Sequence, residues 1–318
     1  MQLQRFARVT AMGSYIPPRE VTNDQLAQRI ETSDEWIRQR TGIRTRFLVD
    51  PAAGVSGTTD MAERAANNAL QAGDIDPTTL DMIIVGTVTA DPRMPSAACM
   101  LQHRLAAHRA CAFDISAACA GSLYGLAVAN GFIAAGSHKR ILVVGSETMS
   151  SVLDWSDRGT CVLFGDGAAA AVVEPSSDPR QGFHKFDLYS DGSQHACLQL
   201  AEGGKVTMNG RAVYRSAVAA LVDASQRILR EAGLCADDLA LVIPHQANVR
   251  IIESIAKRLG IELGRFAVNL DRYANTSSAS LLLAWDEARR SARIKQGDWV
   301  LLLAIGAGMA WGAALYRV

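Results

Sequence analysis

The two halves of this chain repeat the same order of short apolar segments. In both halves these segments alternate with stretches of helical periodicity, such as 61–72 in the first half and 218–232 in the second. The period is far too long for a solenoid, so the repeat predicts two related α/β halves with buried, mainly parallel strands. The apolar segments 80–85, 112–115, 140–145 and 167–173 correspond in order to 239–243, 267–270, 299–304 and 312–318.

A polar stretch separates the two series of segments. Residues 174–181 include Pro175 and Pro179, which interrupt the alternation of strands and helices. We therefore expect an N-terminal half at 1–174 and a C-terminal half at 175–318. Of the 318 residues 49% are hydrophobic, so the chain can bury a large core.

Charge and cysteine content argue against several classes of protein. The formal net charge is +0, so the chain lacks the global basic footprint of a nucleic-acid-binding protein. The six cysteines form no C-x-x-C pair and have no metal-like spacing. This pattern predicts reduced thiols in the cytoplasm rather than a disulfide framework or a metal site.

Two segments bear on membrane insertion and targeting. Residues 1–8 are too polar for the apolar core of a signal peptide. The longest apolar stretch, 299–315, is interrupted by Gly306, Gly308 and Gly312. A strand, a tight turn and a second strand are therefore predicted there instead of a membrane span, and no membrane association is expected.

One cysteine lies at the junction of an apolar strand and a helix. Segment 112–115 leads into small residues around Cys119, and an Ala/Gly/Leu-rich helical stretch follows. The start of a helix favours the thiolate, which is the nucleophilic form of cysteine. It also presents backbone N–H groups to a developing oxyanion. The alternative is a buried cysteine with a purely structural role.

Two polar residues follow strands of the second half. His245 ends the strand 239–243 in a Pro-His-Gln-Ala-Asn sequence, and Asn275 follows the predicted strand 267–270. Because α/β proteins bind ligands at strand carboxyl ends, we expect both residues to meet Cys119 between the halves. The alternatives are a strand-end histidine with a satisfied ring and an asparagine that caps the following helix.

Together with four other segments, these three regions resemble the β-ketoacyl-acyl-carrier-protein synthase III family, the initiating condensing enzymes of bacterial fatty acid synthesis. The resemblance covers nearly the whole chain. It implies a thiolase-like fold, in which duplicated α/β halves form a five-layer αβαβα architecture, and it implies a homodimer. The four other matching segments are 13–17, 32–44, 157–167 and 306–314.

The resemblance implies a decarboxylative condensation. An acyl-CoA primer would acylate Cys119, and malonyl-acyl carrier protein would then lose CO₂ to give the attacking carbanion. His245 and Asn275 would donate N–H groups to the enolate, and the resemblance also links His245 to activation of the thiol. The backbone N–H groups of Cys119 and Ala307 would form an oxyanion hole for the acyl carbonyl. The substrates are coenzyme A thioesters, and no metal or redox cofactor is implied.

The resemblance also implies two binding surfaces. Trp36 would stack on the coenzyme A adenine with Arg40 on the same helix face, although a tryptophan held by its neighbours is an alternative. A basic patch would bind the acidic acyl carrier protein, although a solvated basic face explains the same charges. The further coenzyme A contacts would be Arg158, Tyr214 and Asn248, and the patch would comprise Arg215, Arg250, Lys257 and Arg258.

Two departures from the family pattern concern the substrate. One subunit of the family usually lends an aromatic side chain to its neighbour's acyl pocket, and this chain has the flexible Met94 there. We therefore expect a pocket larger than one for acetyl. The stretch 192–208 is shorter than usual, so the tunnel entrance is expected to differ.

Three other functions stay open from the sequence. The first is a related enzyme of secondary metabolism that makes quinolone-type precursors or transfers acyl groups. The second is a catalytically silent protein that binds acyl-CoA or acyl carrier protein. The third is a cysteine hydrolase in which Asn275 orients His245.

Overall fold

The computed structural model describes residues 6–201 and 203–318. Residues 1–5, which belong to the polar N-terminal segment 1–8, lie outside the described residues. Within the described ranges, no helix is long and apolar enough to cross a membrane. The strands are β1 Ala7–Tyr15, β2 Arg19–Thr22, β3 Thr45–Leu48, β4 Met82–Gly86, β5 Cys111–Ile115, β6 Ile141–Glu147, β7 Gly167–Pro175, β8 Gly182–Ser190, β9 Leu198–Leu200, β10 Val206–Met208, β11 Leu239–Pro244, β12 Trp299–Gly306 and β13 Ala310–Arg317. The helices are α1 Asn23–Ala27, α2 Asp34–Thr41, α3 Thr58–Ala72, α4 Ala97–Arg104, α5 Gly121–Ala134, α6 Gly210–Ala232, α7 Val249–Leu259, α8 Leu270–Tyr273 and α9 Ser280–Arg290.

Two mixed sheets divide the main strands between the halves. The first has the order β1-β7-β6-β4-β5 and the second has the order β11-β12-β13-β8. Pairing is parallel between β4 and β5, β4 and β6, and β11 and β12, and it is antiparallel for the other pairs. The expectation of mainly parallel strands is therefore wrong. One reason is the predicted hairpin, since β12 and β13 are joined by a tight turn and can pair only antiparallel.

The sheet topology supports the proposed division of the chain. The first sheet contains no strand beyond Pro175, and the second contains no strand before Gly182, among the residues described. We keep the division between 1–174 and 175–318 as a proposal on this basis.

The helices complete the five-layer αβαβα arrangement that the resemblance implied. Helices α5 and α9 pack between the two sheets, α3 and α4 cover the outer face of the first sheet, and α6 covers the outer face of the second with α7 beside it. Strand β12 shows how the sequence specifies these layers. Leu302 and Ala304 pack in the central cluster with α5 and α9, whereas Leu301 and Leu303 pack towards α6.

The segment 267–270 was expected to be a strand, and this prediction is wrong. The chain makes only an isolated bridge to Val242 just before it. The buried side chain of Gln246 instead makes hydrogen bonds with backbone groups that strand pairing would otherwise use. Its Nε2 donates to the carbonyl of Ala267 at 3.0 Å, and its Oε1 accepts from the N–H of Asn269 at 3.0 Å. A side-chain amide thus replaces strand pairing at this edge.

The two halves touch backbone to backbone at the ends of their central strands. A Cβ atom on Gly145, in β6, would lie 2.4 Å from the carbonyl oxygen of Ser278. A Cβ atom on Gly306, at the end of β12, would lie 2.7 Å from the backbone nitrogen of Cys119. Only glycine fits at either position without a shift of the backbone. These contacts hold the segment after Asn275 against the first sheet.

We expect the substitution Gly145→Ala to lower the free energy of unfolding by about 1–3 kcal/mol, because the added methyl group meets backbone that cannot move aside. Gly131→Ala is the matched control. Gly131 lies within α5, and a Cβ atom added there would have no neighbour within 4 Å. Its replacement should stabilise the helix by roughly 0.5–1 kcal/mol. Denaturant unfolding of both variants tests this, and a Gly145→Ala protein as stable as the wild type would contradict it.

Candidate active site

The chain around Cys119 has the predicted order of strand, small residues and helix. β5 ends at Ile115, a 3₁₀ turn spans Ala118–Ala120, and α5 begins at Gly121. Ala118 has a φ of +46°, a left-handed conformation that is uncommon for a residue with a side chain. This turn directs Cys119 to the junction of the two halves, where only 6% of the residue is exposed.

The charge state of the cysteine differs from the sequence prediction. Burial raises the pKa of the Cys119 thiol to about 12. The nearby hydroxyl of Ser277 lowers this pKa, and the charge of Glu147 raises it. Loss of hydration in the buried site therefore favours the thiol, and not the expected thiolate, as the resting group at neutral pH.

His245 follows β11 and is held at both its backbone and its ring. Its N–H donates to the carbonyl of Leu303 at 2.7 Å. Its Nδ1 lies 2.5 Å from the hydroxyl oxygen of Ser280, which also accepts the N–H of Gln246 at 3.2 Å. Burial lowers the pKa of the imidazole to about 3, so the ring is neutral at physiological pH.

Asn275 is fixed in the same region. Its backbone N–H donates to Leu163 at 2.9 Å, and its Oδ1 accepts the N–H of Ser277 at 2.8 Å. Because the amide oxygen already accepts this hydrogen bond, the side-chain NH₂ group is available to donate to a ligand. Asn275 does not cap α9, whose N-cap is Ala279.

Cys119 lies where two cavities meet. The first has a volume of about 1100 Å³ and is lined by Cys119, His245 and Asn275 at its inner end. The second has a volume of about 990 Å³ and is lined by Cys119, Ala307 and Ser277. The three residues singled out from the sequence therefore share one cavity wall, and a second space is available beside the thiol.

All five predicted coenzyme A contacts line the first cavity. The guanidinium carbon of Arg40 lies 4.6 Å from the centre of the Trp36 ring, and that of Arg158 lies 5.2 Å from it. Asn248 caps α7 by accepting the N–H of Arg250, and it donates to the carbonyl of Arg40 at 3.1 Å. Arg40, Arg158 and Asn248 therefore make contacts within the protein in addition to lining the cavity. The five residues are Trp36, Arg40, Arg158, Tyr214 and Asn248.

The predicted basic patch is brought together only in part. Arg215 and Arg250 line the first cavity, and Arg250 donates to the carbonyl of Gln39 at 2.9 Å. Lys257 and Arg258 are exposed in the last turn of α7 and do not line this cavity. Arg215 and Arg250 thus lie at the cavity, and the other two cations extend the positive charge along the surface.

Met94 lies outside both cavities of the single chain. It is 87% exposed, on a loop between β4 and α4. Its predicted role therefore requires a second subunit.

Four polar residues of this site were not singled out from the sequence. They are Glu147 at the end of β6, and Gln246, Ser277 and Ser280, all of them buried. The sequence contains a signal for Glu147, because a charged residue at the end of the apolar run 141–147 is buried only when polar groups pair with it. The other three adjoin the singled-out histidine and asparagine. Among residues 6–201 and 203–318, no group of three or more His, Cys, Asp or Glu side chains is arranged to hold a metal ion.

Comparison with known proteins gives consistent matches over the whole chain. The family model described as 3-oxoacyl-[acyl-carrier-protein (ACP)] synthase III matches residues 113–192, and the model of its C-terminal region matches 229–318. The β-ketoacyl-[acyl-carrier-protein] synthase III of Natranaerobius thermophilus is 44% identical, with 98% of this chain and 99% of that protein covered. The protein of the same name from Xanthomonas campestris is 44% identical, with 100% of both covered.

The solved structures agree with these sequence matches. The crystal structure of 3-oxoacyl-[acyl-carrier-protein] synthase III from Aquifex aeolicus superposes with a TM-score of 0.95 at 41% sequence identity. The match covers 98% of this chain and 100% of that one.

The neutral state of His245 predicts a pH dependence of stability. The pKa is about 3 in the folded protein and near 6.5 in the unfolded chain, so only the unfolded chain gains a proton as the pH falls below 6.5. Between pH 6.5 and 4.5 the wild type should therefore lose about 2 kcal/mol more stability than His245→Gln. Urea unfolding at both pH values measures this, and equal losses in the two proteins would show that the ring is protonated when folded.

Proposed function

Because this chain belongs to the 3-oxoacyl-[acyl-carrier-protein] synthase III family, we propose that Cys119, His245 and Asn275 condense an acyl-CoA primer with malonyl-acyl carrier protein. The protein is an acyltransferase, a condensing enzyme of fatty acid biosynthesis. One observation carries the residue assignment. A buried thiol, a neutral imidazole and an oriented carboxamide meet at the inner end of a single cavity.

In the first step the thiol of Cys119 attacks the primer thioester. The C–S bond to coenzyme A breaks, and the acyl group is held on the enzyme while coenzyme A leaves. The proposed oxyanion hole is the backbone N–H of Cys119 with that of Ala307. The close contact of Gly306 with Cys119 supports this oxyanion hole, because it brings the turn after β12 next to the nucleophile.

In the second step malonyl-acyl carrier protein loses CO₂ and becomes an enolate. The enolate oxygen needs hydrogen-bond donors rather than a strong base. When Ser280 donates to Nδ1 of His245, Nε2 carries the ring proton and acts as a donor. The NH₂ group of Asn275 is the second donor. Donors of this kind in a dry site are worth about 3–4 kcal/mol each.

The first cavity suits the pantetheine arm of coenzyme A or of the acyl carrier protein. It extends from the thiol to Trp36 and Arg158, which can stack on an adenine and pair with phosphates. Tyr214 and Asn248 line its walls, and Arg40 contacts the Trp36 ring.

The basic side chains at and beyond this cavity suit an acidic carrier protein. Arg215 and Arg250 lie at the opening, and Lys257 and Arg258 are exposed on α7. On a chain of net charge +0, such a local positive surface attracts acidic partners.

A homodimer is the proposed assembly. β5 is an edge strand that pairs only with β4 among the described residues, so its other edge is open to a second copy. Met94 would then enter the second cavity of the partner. The apolar lining of that cavity includes Met149, Phe164 and Leu200, which supports a primer longer than acetyl.

We propose a cytoplasmic location for the enzyme. All six cysteines are free thiols, which suits a reducing compartment. No metal or redox cofactor enters the proposed reaction.

Intact-protein mass spectrometry tests the assignment. After exposure to acyl-CoA, the wild type should gain the acyl mass and lose it when malonyl-acyl carrier protein is added. Cys119→Ala should gain nothing, and Cys235→Ala, which changes an exposed cysteine, should behave as the wild type. His245→Ala and Asn275→Ala should clear the adduct about 10²–10³-fold more slowly. An adduct that persists with malonyl-acyl carrier protein would reject condensation as the function.

Primer preference tests the role of Met94. The wild type should use butyryl- or octanoyl-CoA at least as fast as acetyl-CoA, because a flexible methionine leaves room in the pocket. Met94→Trp should shift the preference towards acetyl-CoA, and Met94→Leu should keep that of the wild type. A clear wild-type preference for acetyl-CoA, or no shift in Met94→Trp, would contradict the proposed pocket.

A further inference from the structure

A buried carboxylate behind the thiol has no role in the reaction described so far. Glu147 ends β6 and is fully buried. Its Oε2 accepts the hydroxyls of Thr89 at 2.6 Å and Thr87 at 3.1 Å, and the N–H of Val88 at 3.1 Å. Its Oε1 accepts the hydroxyl of Ser277 at 3.0 Å. A carboxyl group kept at this depth without a cation among these contacts is costly, which indicates a function.

Ser277 connects this carboxylate to the site. Its backbone has a φ of +52°, a left-handed conformation that concentrates at functional positions. Its N–H orients Asn275, its hydroxyl donates to Glu147, and it lines the second cavity together with Cys119. The Ser277 hydroxyl is also near enough to the Cys119 thiol to lower the pKa of that thiol. The Ser277 hydroxyl therefore connects the carboxylate to the cavity wall that carries the nucleophile.

We propose that Glu147 receives the thiol proton of Cys119 through the hydroxyl of Ser277 when the thiol attacks the primer. This inference rests on the function proposed above and concerns the same site. Glu147 touches no substrate atom and acts only through Ser277.

The proton balance closes over one cycle. During acylation the S–H bond of Cys119 breaks as its C–S bond forms. The proton passes to the oxygen of Ser277, whose own proton passes to Oε1 of Glu147. Coenzyme A leaves through the first cavity as a thiolate and takes a proton from water. During condensation the C–S bond to Cys119 breaks, and Glu147 returns its proton to the sulfur by the same path.

Three properties of the site favour this path over proton transfer to the histidine. The pKa of His245 is about 3, so its ring is a weak base. Burial raises the pKa of Glu147, so this carboxylate accepts a proton more readily than an exposed one. The transfer also avoids a thiolate beside a carboxylate, since Glu147 becomes neutral as Cys119 gives up its proton.

Few other ionisable groups face this path. Cys119 is a titratable side chain that interacts with Glu147, and the groups from the loop after β4 and from the Ser277 turn are neutral hydroxyls and an N–H. The ionisable residues across the second cavity are Arg93, Asp114, Tyr124 and His195.

The test compares Glu147→Gln with Asp166→Asn. Asp166 is also fully buried and accepts the hydroxyl and N–H of Ser150 and the N–H of Val49, but it lines neither cavity. The rate of Cys119 acylation by butyryl- and octanoyl-CoA is measured from pH 6.5 to 9. Alkylation by iodoacetamide is followed over the same range.

We expect the wild type and Asp166→Asn to show nearly flat profiles, because an internal carboxylate accepts the proton. Glu147→Gln should be about 100-fold slower at pH 7, and its rate should rise about tenfold per pH unit, because only the thiolate then reacts. Ser277→Ala should show the same loss, and the double variant should lose no more than either single one. Glu147→Asp should recover part of the rate.

Two results would overturn the proposal. If Glu147 acts only as a charge, its removal lowers the pKa of the thiol and Glu147→Gln reacts faster than the wild type. If it acts only in packing, Glu147→Gln and Asp166→Asn lose rate equally with unchanged profiles. A wild type that takes up no acyl group from any acyl-CoA would reject the proposed function, and the iodoacetamide profiles would still decide the proton path.

Discussion

The close approach of the two halves at their strand ends is the constraint on which the rest of the structure depends. Gly145 in the first sheet lies against the backbone of Ser278, and Gly306 in the second sheet lies against that of Cys119. Any side chain at these glycines would push the halves apart by the size of a methyl group. The thiol comes from one half, and His245 and Asn275 come from the other. The common cavity therefore exists only because the backbones can touch.

The same contact buries the reactive side chains, and burial determines their charges. Cys119 and His245 are both neutral at rest, since burial raises the pKa of one to about 12 and lowers that of the other to about 3. Charge then enters the site only as the reaction proceeds. Donors such as the NH₂ group of Asn275 are already oriented by their own hydrogen bonds, so they meet that charge without reorganising.

Much of the fold could be predicted from the sequence, because apolar periodicity and glycine positions are local signals. The duplicated halves, the hairpin at 299–315 and the strand-to-helix turn at Cys119 all follow from them. The segment 267–270 could not be predicted, because its strand pairing was replaced by contacts of Gln246, which lies about twenty residues earlier. Depth of burial is also not local, so the charge state of the thiol and the network around Glu147 became visible only in three dimensions.

The two cavities meet at the thiol from different sides, and this has a consequence for the order of events. In the proposed reaction the acyl chain occupies the second cavity, so the first cavity serves both coenzyme A and the arm of the carrier protein. The two carriers therefore exclude each other, and one must depart before the other arrives. Under the proposed reaction, free coenzyme A is therefore expected to compete with the extender for the loaded enzyme.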